Sequence, residues 1–452
     1  MLAKTMNLLL HKACEARITR VSNSPPLFLA LLLLVLSLFN HWQCAVTTPT
    51  TDFFTFWGVP LVLRSNPVTN IYDAENQRAI ASALIEKAAS PEISQKQKLA
   101  TDITSRFYDR RVDATGSPFL YALVGILSTG DYEKDQRLFI ILCFLCFIAA
   151  ILLLCYLLKY SLVSAILLLI FFSSFYAPVL SDLQVGNTNQ IQLLIISLFI
   201  LLAAKSKPLW AGIIIGIGIM LKPNIFLIWL FYNIVMLTDK KYKQQIFLLL
   251  GTGAGVFLAA LLSVIYFGKP AMWVQFALNL PAIVGVSYPI QNGNVGLPMI
   301  IFEFTTMRTA IIIGAGLVIA FTCMIILTRP KTPPGEENAV LLENRLLYET
   351  IAVAGIGCAV MLLSSNLVWL HYYILLIPLV IYLLRPQAES QRRSYRRAAI
   401  QLVVIAALLF FSTAMEFILN NMLYQAVAFN IATLLIVLSA FYELWSGRAR
   451  SA

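Results

Sequence analysis

Long apolar runs separated by short polar breaks recur along the chain from Pro26 to Trp445. Because a helix needs roughly 20 apolar residues to cross the hydrocarbon core of a membrane, these runs predict about twelve transmembrane helices. They lie at about 27–39, 137–158, 161–180, 190–204, 208–222, 224–238, 245–267, 308–328, 348–364, 367–384, 400–418 and 424–444. The pattern predicts an all-α polytopic integral membrane protein.

The regions outside these runs set the predicted organisation. The first run follows several basic residues, as in a signal peptide or a first transmembrane helix, but the poor cleavage motif Cys44-Ala45-Val46 favours an uncleaved helix. In the large loop 45–136, segment 79–89 is expected to form an amphipathic interfacial helix and segment 118–127 an interfacial or re-entrant segment. We therefore predict a single membrane domain over 1–452: an N-terminal segment (1–26), this loop, a helix bundle (137–444) and a tail (445–452).

Composition supports this class of protein. Hydrophobic residues make up 59% of the chain, charged residues make up 12%, and the mean hydropathy is +0.80, whereas soluble domains carry about 25% charged residues. The net charge of +11 would suggest a nucleic-acid partner for a soluble protein. Here the Lys and Arg residues concentrate on alternate loops, so we interpret them as topology signals and expect no nucleic acid.

The positive-inside rule assigns both termini to the cytoplasm and the 45–136 loop to the periplasmic or luminal side. The basic run 392–397 is interpreted as a topology anchor near anionic membrane lipid. No Cys or His pair has the spacing of zinc ligands, and the sequence predicts neither a metal nor a cofactor.

Polar residues cluster at five places on the predicted outer face, where a bilayer tolerates them only next to water, a cavity or a partner. The residues of interest are Asp52; Gln184, Asn187 and Asn189; Lys222; Tyr288 and Asn292; and His371 and Tyr372. These clusters are far apart in the sequence, yet they share one face under a topology derived only from Lys and Arg. Their convergence predicts an outward-facing polar cavity.

Each cluster also has a structural interpretation. Asp52 could be a general base towards a hydroxyl, or could cap a helix that begins at Phe53. The amides could bind sugar hydroxyls or build a tight helix hairpin, and Lys222 could bind a phosphate or extend along the interface. The loop with Tyr288 is either a lid or an ordinary loop. His371 either takes part in chemistry or is a satisfied polar residue in an aromatic belt.

Four stretches of this sequence resemble glycosyltransferase family 87, whose members have the C-type membrane glycosyltransferase fold and include polyprenol-phosphate-mannose-dependent mannosyltransferases. The resemblance covers roughly residues 50–385. The stretches are Asp52-Phe53-Phe54 through Asn70-Ile71-Tyr72-Asp73, Ser117-Pro118-Phe119-Leu120-Tyr121, Gly186-Asn187-Thr188-Asn189 with Leu221-Lys222-Pro223, and His371-Tyr372-Tyr373 with Pro378.

The resemblance implies inverting transfer of a sugar, such as mannose, another hexose or a pentose, from a polyprenyl phosphate to a lipid or glycan acceptor. The expected place is the outer face of a bacterial inner (plasma) membrane, among membrane lipids. The family pattern carries over to Asp52 as the general base, His371 as a second catalytic residue and Lys222 as the donor-phosphate ligand. Substrate contacts are then expected from Gln184, Asn187, Asn189, Tyr288, Asn292 and Tyr372.

Two departures from the family pattern bear on the donor sugar and the site wall. Family members more often have Gln at the position of Asn187, and an aromatic-Pro-Pro sequence where this chain has Ser117-Pro118.

Two other functions fit a polytopic protein, namely a secondary transporter and a lipid-linked oligosaccharide polymerase or ligase. Transporters usually place ionisable groups near the bilayer midplane, and the polymerases and ligases generally draw key residues from a large late loop. This chain shows neither pattern.

Overall fold

The computed structural model describes residues 25–65, 70–107, 111–112, 114–285, 288–328, 339–386 and 391–451. Its helices are α1 (Pro25–Thr47), α2 (Thr51–Ser65), α3 (Ala74–Ala88), α4 (Gln95–Phe107), α5 (Pro118–Leu127), α6 (Tyr132–Leu157), α7 (Leu162–Ser174), α8 (Ala177–Val185), α9 (Asn189–Ala204), α10 (Pro208–Leu221), α11 (Phe226–Thr238), α12 (Tyr242–Phe267), α13 (Ala271–Gly285), α14 (Leu297–Phe304), α15 (Met307–Thr328), α16 (Ala339–Ser364), α17 (Ile377–Leu384), α18 (Gln391–Phe410), α19 (Thr413–Ile418) and α20 (Met422–Ser451).

Short 3-10 segments cover Pro223–Ile225, Ile290–Asn292 and Leu370–Leu376. Across the described ranges the only β-structure is two isolated bridges, so the predicted all-α class is confirmed. Most of the predicted N-terminal segment, residues 1–24, lies outside the described residues.

Five helices of the described part are long and apolar enough to cross a membrane. They are Tyr132–Leu157, Tyr242–Phe267, Met307–Thr328, Arg345–Ser364 and Met422–Ser446. Further apolar helices, such as Asn189–Ala204 and Pro208–Leu221, are shorter. The length and composition of these helices are thus those of a membrane protein, while the number of twelve spans stays a prediction.

Several predicted spans are interrupted in the structure. The run 161–180 breaks between α7 and α8, where the Tyr176 hydroxyl donates to the Tyr373 carbonyl at 2.7 Å and Pro178 occupies the first turn of α8. Proline lacks an N–H donor, so it fits the start of a helix but not its interior. The run 367–384 likewise begins as a 3-10 segment before Pro378 opens α17. Helices α13 and α14 were not predicted, because their apolar stretches are below spanning length.

Helices α10 and α12 pack backbone against backbone. Gly212 of α10 faces Gly251 of α12, Gly216 faces the Thr252 backbone and Gly255 faces the Ile213 backbone. A Cβ on Gly251 would lie 2.0 Å from the Leu209 carbonyl oxygen. Small residues four apart allow such close approach between apolar helices. Because α10 ends at Leu221, this contact sets the position of the residue that follows it, Lys222.

Helix α2 is fixed by a separate apolar core. Phe53, Phe54 and Trp57 are each no more than 1% exposed, and Trp57 Nε1 donates to Asp135 Oδ2 of α6 at 3.0 Å. Burial of these large aromatic side chains stabilises the helix through the area removed from water or lipid headgroups. The start of α2 therefore has a defined place beside α6.

The basic run 392–397 only partly follows its predicted role. Arg397 is 6% exposed, donates to the Tyr382 carbonyl at 3.0 Å and pairs with Glu443 at 3.1 Å. Arg385 pairs with the same carboxylate at 2.9 Å. Arg397 therefore satisfies the carbonyl end of α17 and does not anchor the chain in lipid, because buried charges require partners inside the protein. The side chains of residues 391–394 lie outside the described part.

Candidate active site

Asp52 lies in the first turn of α2, which begins at Thr51. The helix thus starts before Asp52, and not at Phe53 as a capping role would require. The Thr50 carbonyl accepts from Phe54 N at 2.9 Å. While Phe53 and Phe54 point into the core, the Asp52 side chain is 25% exposed. A carboxylate in this position is stabilised by the positive end of the helix dipole.

The turn between α8 and α9 touches the start of α2 through Gly186. This residue has φ +71°, and a Cβ on it would lie 2.7 Å from Phe53 Cβ and 2.8 Å from Thr50 Cβ. Glycine meets both requirements, a left-handed backbone and a close approach. The next residue, Asn187, consequently donates from Nδ2 to Asp52 Oδ2 at 2.6 Å.

Lys222 follows α10 and points to the same turn. Its Nζ donates to Asn187 Oδ1 at 3.0 Å and to Asn189 Oδ1 at 3.1 Å, and it lies 3.9 Å from the centroid of the Tyr372 ring. These amide oxygens are neutral, so they hold the ammonium without cancelling its charge. Burial lowers the pKa of Lys222, while the charges of Asp182 and Asp52 act in the opposite direction.

A buried carboxylate stands behind Lys222. Asp182 is 1% exposed and accepts from Asn189 Nδ2 at 2.8 Å, and the same amide nitrogen lies 3.3 Å from the His371 carbonyl oxygen. Burial raises the pKa of Asp182, against the effect of the hydrogen bond from Asn189. Asn189 therefore links the carboxylate to the ammonium without lining the cavity itself.

His371 lies close to both Asn187 and Asp52. It is 5% exposed, and its Nε2 lies 3.3 Å from Asn187 Nδ2 and 3.9 Å from Asp52 Oδ2. Its ring packs edge-on against Tyr372, with centroids 4.9 Å apart. Residues from both ends of the chain therefore meet around one amide group.

These residues border a cavity of about 330 Å³. One part of its wall is polar and another is apolar or aromatic, including Phe56, Leu120, Phe276, Leu280 and Trp369. Of the predicted residues, the wall contains Asp52, Asn187, Lys222, Tyr288 and Tyr372. His371 and Asn189 are buried beside it. Gln184 and Asn292 are exposed and lie outside its lining.

The loop with Tyr288 is held in place by Asn294, which was not among the predicted substrate contacts. Asn294 is 0% exposed; Nδ2 donates to the carbonyls of Tyr288 and Asn366, and Oδ1 accepts from the N–H groups of Gly296 and Val368. The four distances are between 2.8 and 3.1 Å. All four bonding positions of the amide are used. Asn294 thus joins the loop 288–296 to residues 366–368, and the Tyr288 ring of this loop lies 5.7 Å from the Trp369 ring.

Within the described ranges, no group of three or more His, Cys, Asp or Glu residues is arranged to hold a metal ion.

The family model for glycosyltransferase family 87 matches residues 115–347, slightly more than half of the chain. The matched region contains Asn187, Lys222 and Tyr288, whereas Asp52 and His371 flank it. No curated protein and no solved structure matches the chain. The chain is therefore a glycosyltransferase, and it belongs to glycosyltransferase family 87.

Proposed function

We propose that this glycosyltransferase moves a sugar from a polyprenyl phosphate to a hydroxyl of a lipid or glycan acceptor, with inversion, on the outer face of the membrane. One observation carries the proposal: the carboxylate of Asp52 and the ammonium of Lys222 border the same cavity, one on each side of the Asn187 amide. Transfer from a phosphate leaving group needs a base for the acceptor and a cation for the phosphate, and this pair supplies both.

Asp52 is the proposed general base. It takes the proton from the acceptor hydroxyl as that oxygen forms its bond to the anomeric carbon. Its side chain is partly open to the cavity, and the amide of Asn187 and the helix dipole orient its oxygens. In this proposal His371 Nε2, 3.9 Å from Asp52 Oδ2, takes up that proton only after a small side-chain movement brings the two groups within hydrogen-bond distance.

Lys222 is the proposed ligand of the departing phosphate. The bond between the anomeric carbon and the phosphate oxygen breaks, and its electron pair leaves with the polyprenyl phosphate. An ammonium beside that oxygen stabilises the charge that develops in the transition state. Asn187, Asn189 and Tyr372 fix this ammonium at the cavity wall.

The apolar wall of the cavity supports a lipid donor. Leu120 of α5 and Phe276 and Leu280 of α13 face the cavity. On the same helix α13, Val274 is 60% exposed and Leu278 is 75% exposed. In a membrane protein such exposed apolar residues face lipid, so α13 separates the cavity from the bilayer. A prenyl chain lying along this helix would keep its sugar phosphate at the polar wall.

The test is a transfer assay with protein purified in nanodiscs and a membrane lipid extract as acceptor. The first donor is radiolabelled polyprenyl-phosphate-mannose, and other prenyl-phosphate sugars follow. We expect labelled product with the wild type and a loss of at least about a hundredfold with Asp52→Asn, since general bases contribute on that order. Asp102→Asn is the matched control, because Asp102 pairs with Arg106 on the exposed surface of α4.

Two outcomes would count against the proposal. If the wild type transfers no sugar from any prenyl-phosphate donor, the donor class is wrong. If folded Asp52→Asn keeps full activity, Asp52 is not the base. Family membership already favours transfer over transport for this chain.

A further inference from the structure

The Asn187 side chain lies between two opposite charges. Its Nδ2 donates to Asp52 Oδ2 at 2.6 Å, and its Oδ1 accepts from Lys222 Nζ at 3.0 Å. The backbone N–H of Thr188 donates to the same Oδ1 at 2.7 Å. Both ends of the amide are therefore bound to protein groups, and the residue is 5% exposed. Sugar hydroxyls are not needed to satisfy this amide.

The amide can take only one orientation here. Its nitrogen only donates and its oxygen only accepts, so the nitrogen must face the carboxylate and the oxygen must face the ammonium. The contact from Thr188 and the left-handed turn at Gly186 hold it in that orientation. An amide so placed is a polar, uncharged spacer.

Without a spacer, a carboxylate and an ammonium attract each other strongly in a partly buried site, where water screens them poorly. A direct ion pair would occupy the oxygens of Asp52 and the N–H donors of Lys222. The base would then be less basic, and the cation would be less available to a phosphate. The proposed function needs both groups to stay available to their own substrates.

We propose that Asn187 is a positioning residue that prevents Asp52 and Lys222 from closing into an ion pair. This positioning role replaces the role as a ligand of sugar hydroxyls that the sequence predicts for Asn187. The inference rests on the proposed function, because only a phosphate-bound donor gives the two charges separate tasks.

A binding experiment tests the spacer without requiring catalysis. The probe is undecaprenyl phosphate, which carries no sugar, and binding at pH 7 is followed by quenching of tryptophan fluorescence, since Trp369 lines the cavity. We expect Asn187→Ala to bind the probe about tenfold more weakly, because Lys222 is captured by Asp52. The double variant Asn187→Ala with Asp52→Asn should regain most of that affinity, because an amide at position 52 has no charge with which to pair with Lys222.

The same variants predict distinct pH profiles of transfer. The groups that face Lys222 and Asp52 are Asp182, His371, Tyr372 and the amides. In Asn187→Ala the new ion pair should move the acid limb of kcat/KM to lower pH and the alkaline limb to higher pH. In Asn187→Asp the added negative charge should move both limbs to higher pH. A purely structural role would lower the plateau and move neither limb.

The outcomes separate the two proposals. If the wild type neither binds the probe nor transfers sugar, the proposed function fails. If the wild type binds and transfers, but Asn187→Ala binds the probe as tightly as the wild type or Asp52→Asn gives no rescue, only the spacer is overturned. Size-exclusion profiles identify variants that do not fold. If Asn187→Ala does not fold, Asn187→Gln takes its place; it retains both amide ends, so the expected loss of probe affinity is smaller.

Discussion

The Nζ atom of Lys222 lies 3.9 Å from the centroid of the Tyr372 ring, while two amide oxygens accept from the same nitrogen. The aromatic ring is thus a third contact of the ammonium, beside the two amide oxygens. A cation at this distance is attracted by the negative face of the ring. The two residues therefore form one unit of the cavity wall.

Loss of the ring is expected to weaken donor binding. Tyr372→Leu should raise the KM for the prenyl-phosphate sugar about fivefold, since a cation–π contact of this kind contributes about 1 kcal/mol. Tyr372→Phe retains the ring and should stay close to the wild type. The measurement is the steady-state KM for the donor with acceptor in excess. Equal KM values for the Leu and Phe variants would show that the ring contributes nothing to Lys222.

Donor binding should weaken as the pH rises through the pKa of Lys222, which burial lowers, because only the protonated form binds phosphate. Lys222→Arg should remove this alkaline loss, since a guanidinium keeps its proton. Asp182→Asn should move the loss to lower pH, because the negative charge of Asp182 favours the protonated ammonium. Profiles of KM from pH 6 to 10 check these shifts, with Lys98→Arg on α4 as the control. A wild-type KM that stays flat across this range would contradict the assignment of Lys222.

Gly186→Ala should affect both stability and activity. The residue has φ +71°, and the new Cβ would lie 2.7 Å from Phe53 Cβ. Gly130→Ala is the matched control, since Gly130 has φ +91° but no atom within 4 Å of the added Cβ. Backbone strain of about 1–2 kcal/mol is expected in both variants, so both should have a lower Tm. Only Gly186→Ala should also lose transfer activity, because it separates Asn187 from Asp52. Full activity in Gly186→Ala would show that this close approach is not required.

Gly251→Ala tests the contact between α10 and α12. The added Cβ would lie 2.0 Å from the Leu209 carbonyl oxygen, so the two helices must move apart. We expect a lower Tm and a higher KM for the donor, because Lys222 follows directly after α10. Gly253→Ala lies on the same helix with no atom within 4 Å, and it should leave both quantities unchanged or raise the Tm slightly. Identical KM values for the two variants would show that the helix contact does not position Lys222.

Much of the site was accessible from the sequence, because two physical constraints act on a membrane chain. Basic residues reveal which loops share a side, and polar residues near apolar helices need a cavity or a partner. Asp52, Lys222 and His371 satisfied both constraints, and the structure brings all three together.

The finer assignment depended on geometry that a pattern does not contain. Gln184 and Asn187 belong to one amide-rich run, but the left-handed turn at Gly186 directs Asn187 inward, while Gln184 lies on the exposed side of α8. Asn292 and Asn294 are two asparagines of the same loop, yet only the side chain of Asn294 is buried. Helix α13 was missed because its 15 residues fall short of a span.

The 3.9 Å approach of His371 to Asp52 joins two segments that lie near opposite ends of the chain. During synthesis the carboxylate is made early, and its histidine and aromatic neighbours emerge only after α16. Contacts of such long sequence separation cost loop-closure entropy and are associated with slow folding. A growing or truncated chain that ends before residue 371 therefore has Asp52 without these neighbours, and on the proposed mechanism we expect such partial products to be inactive.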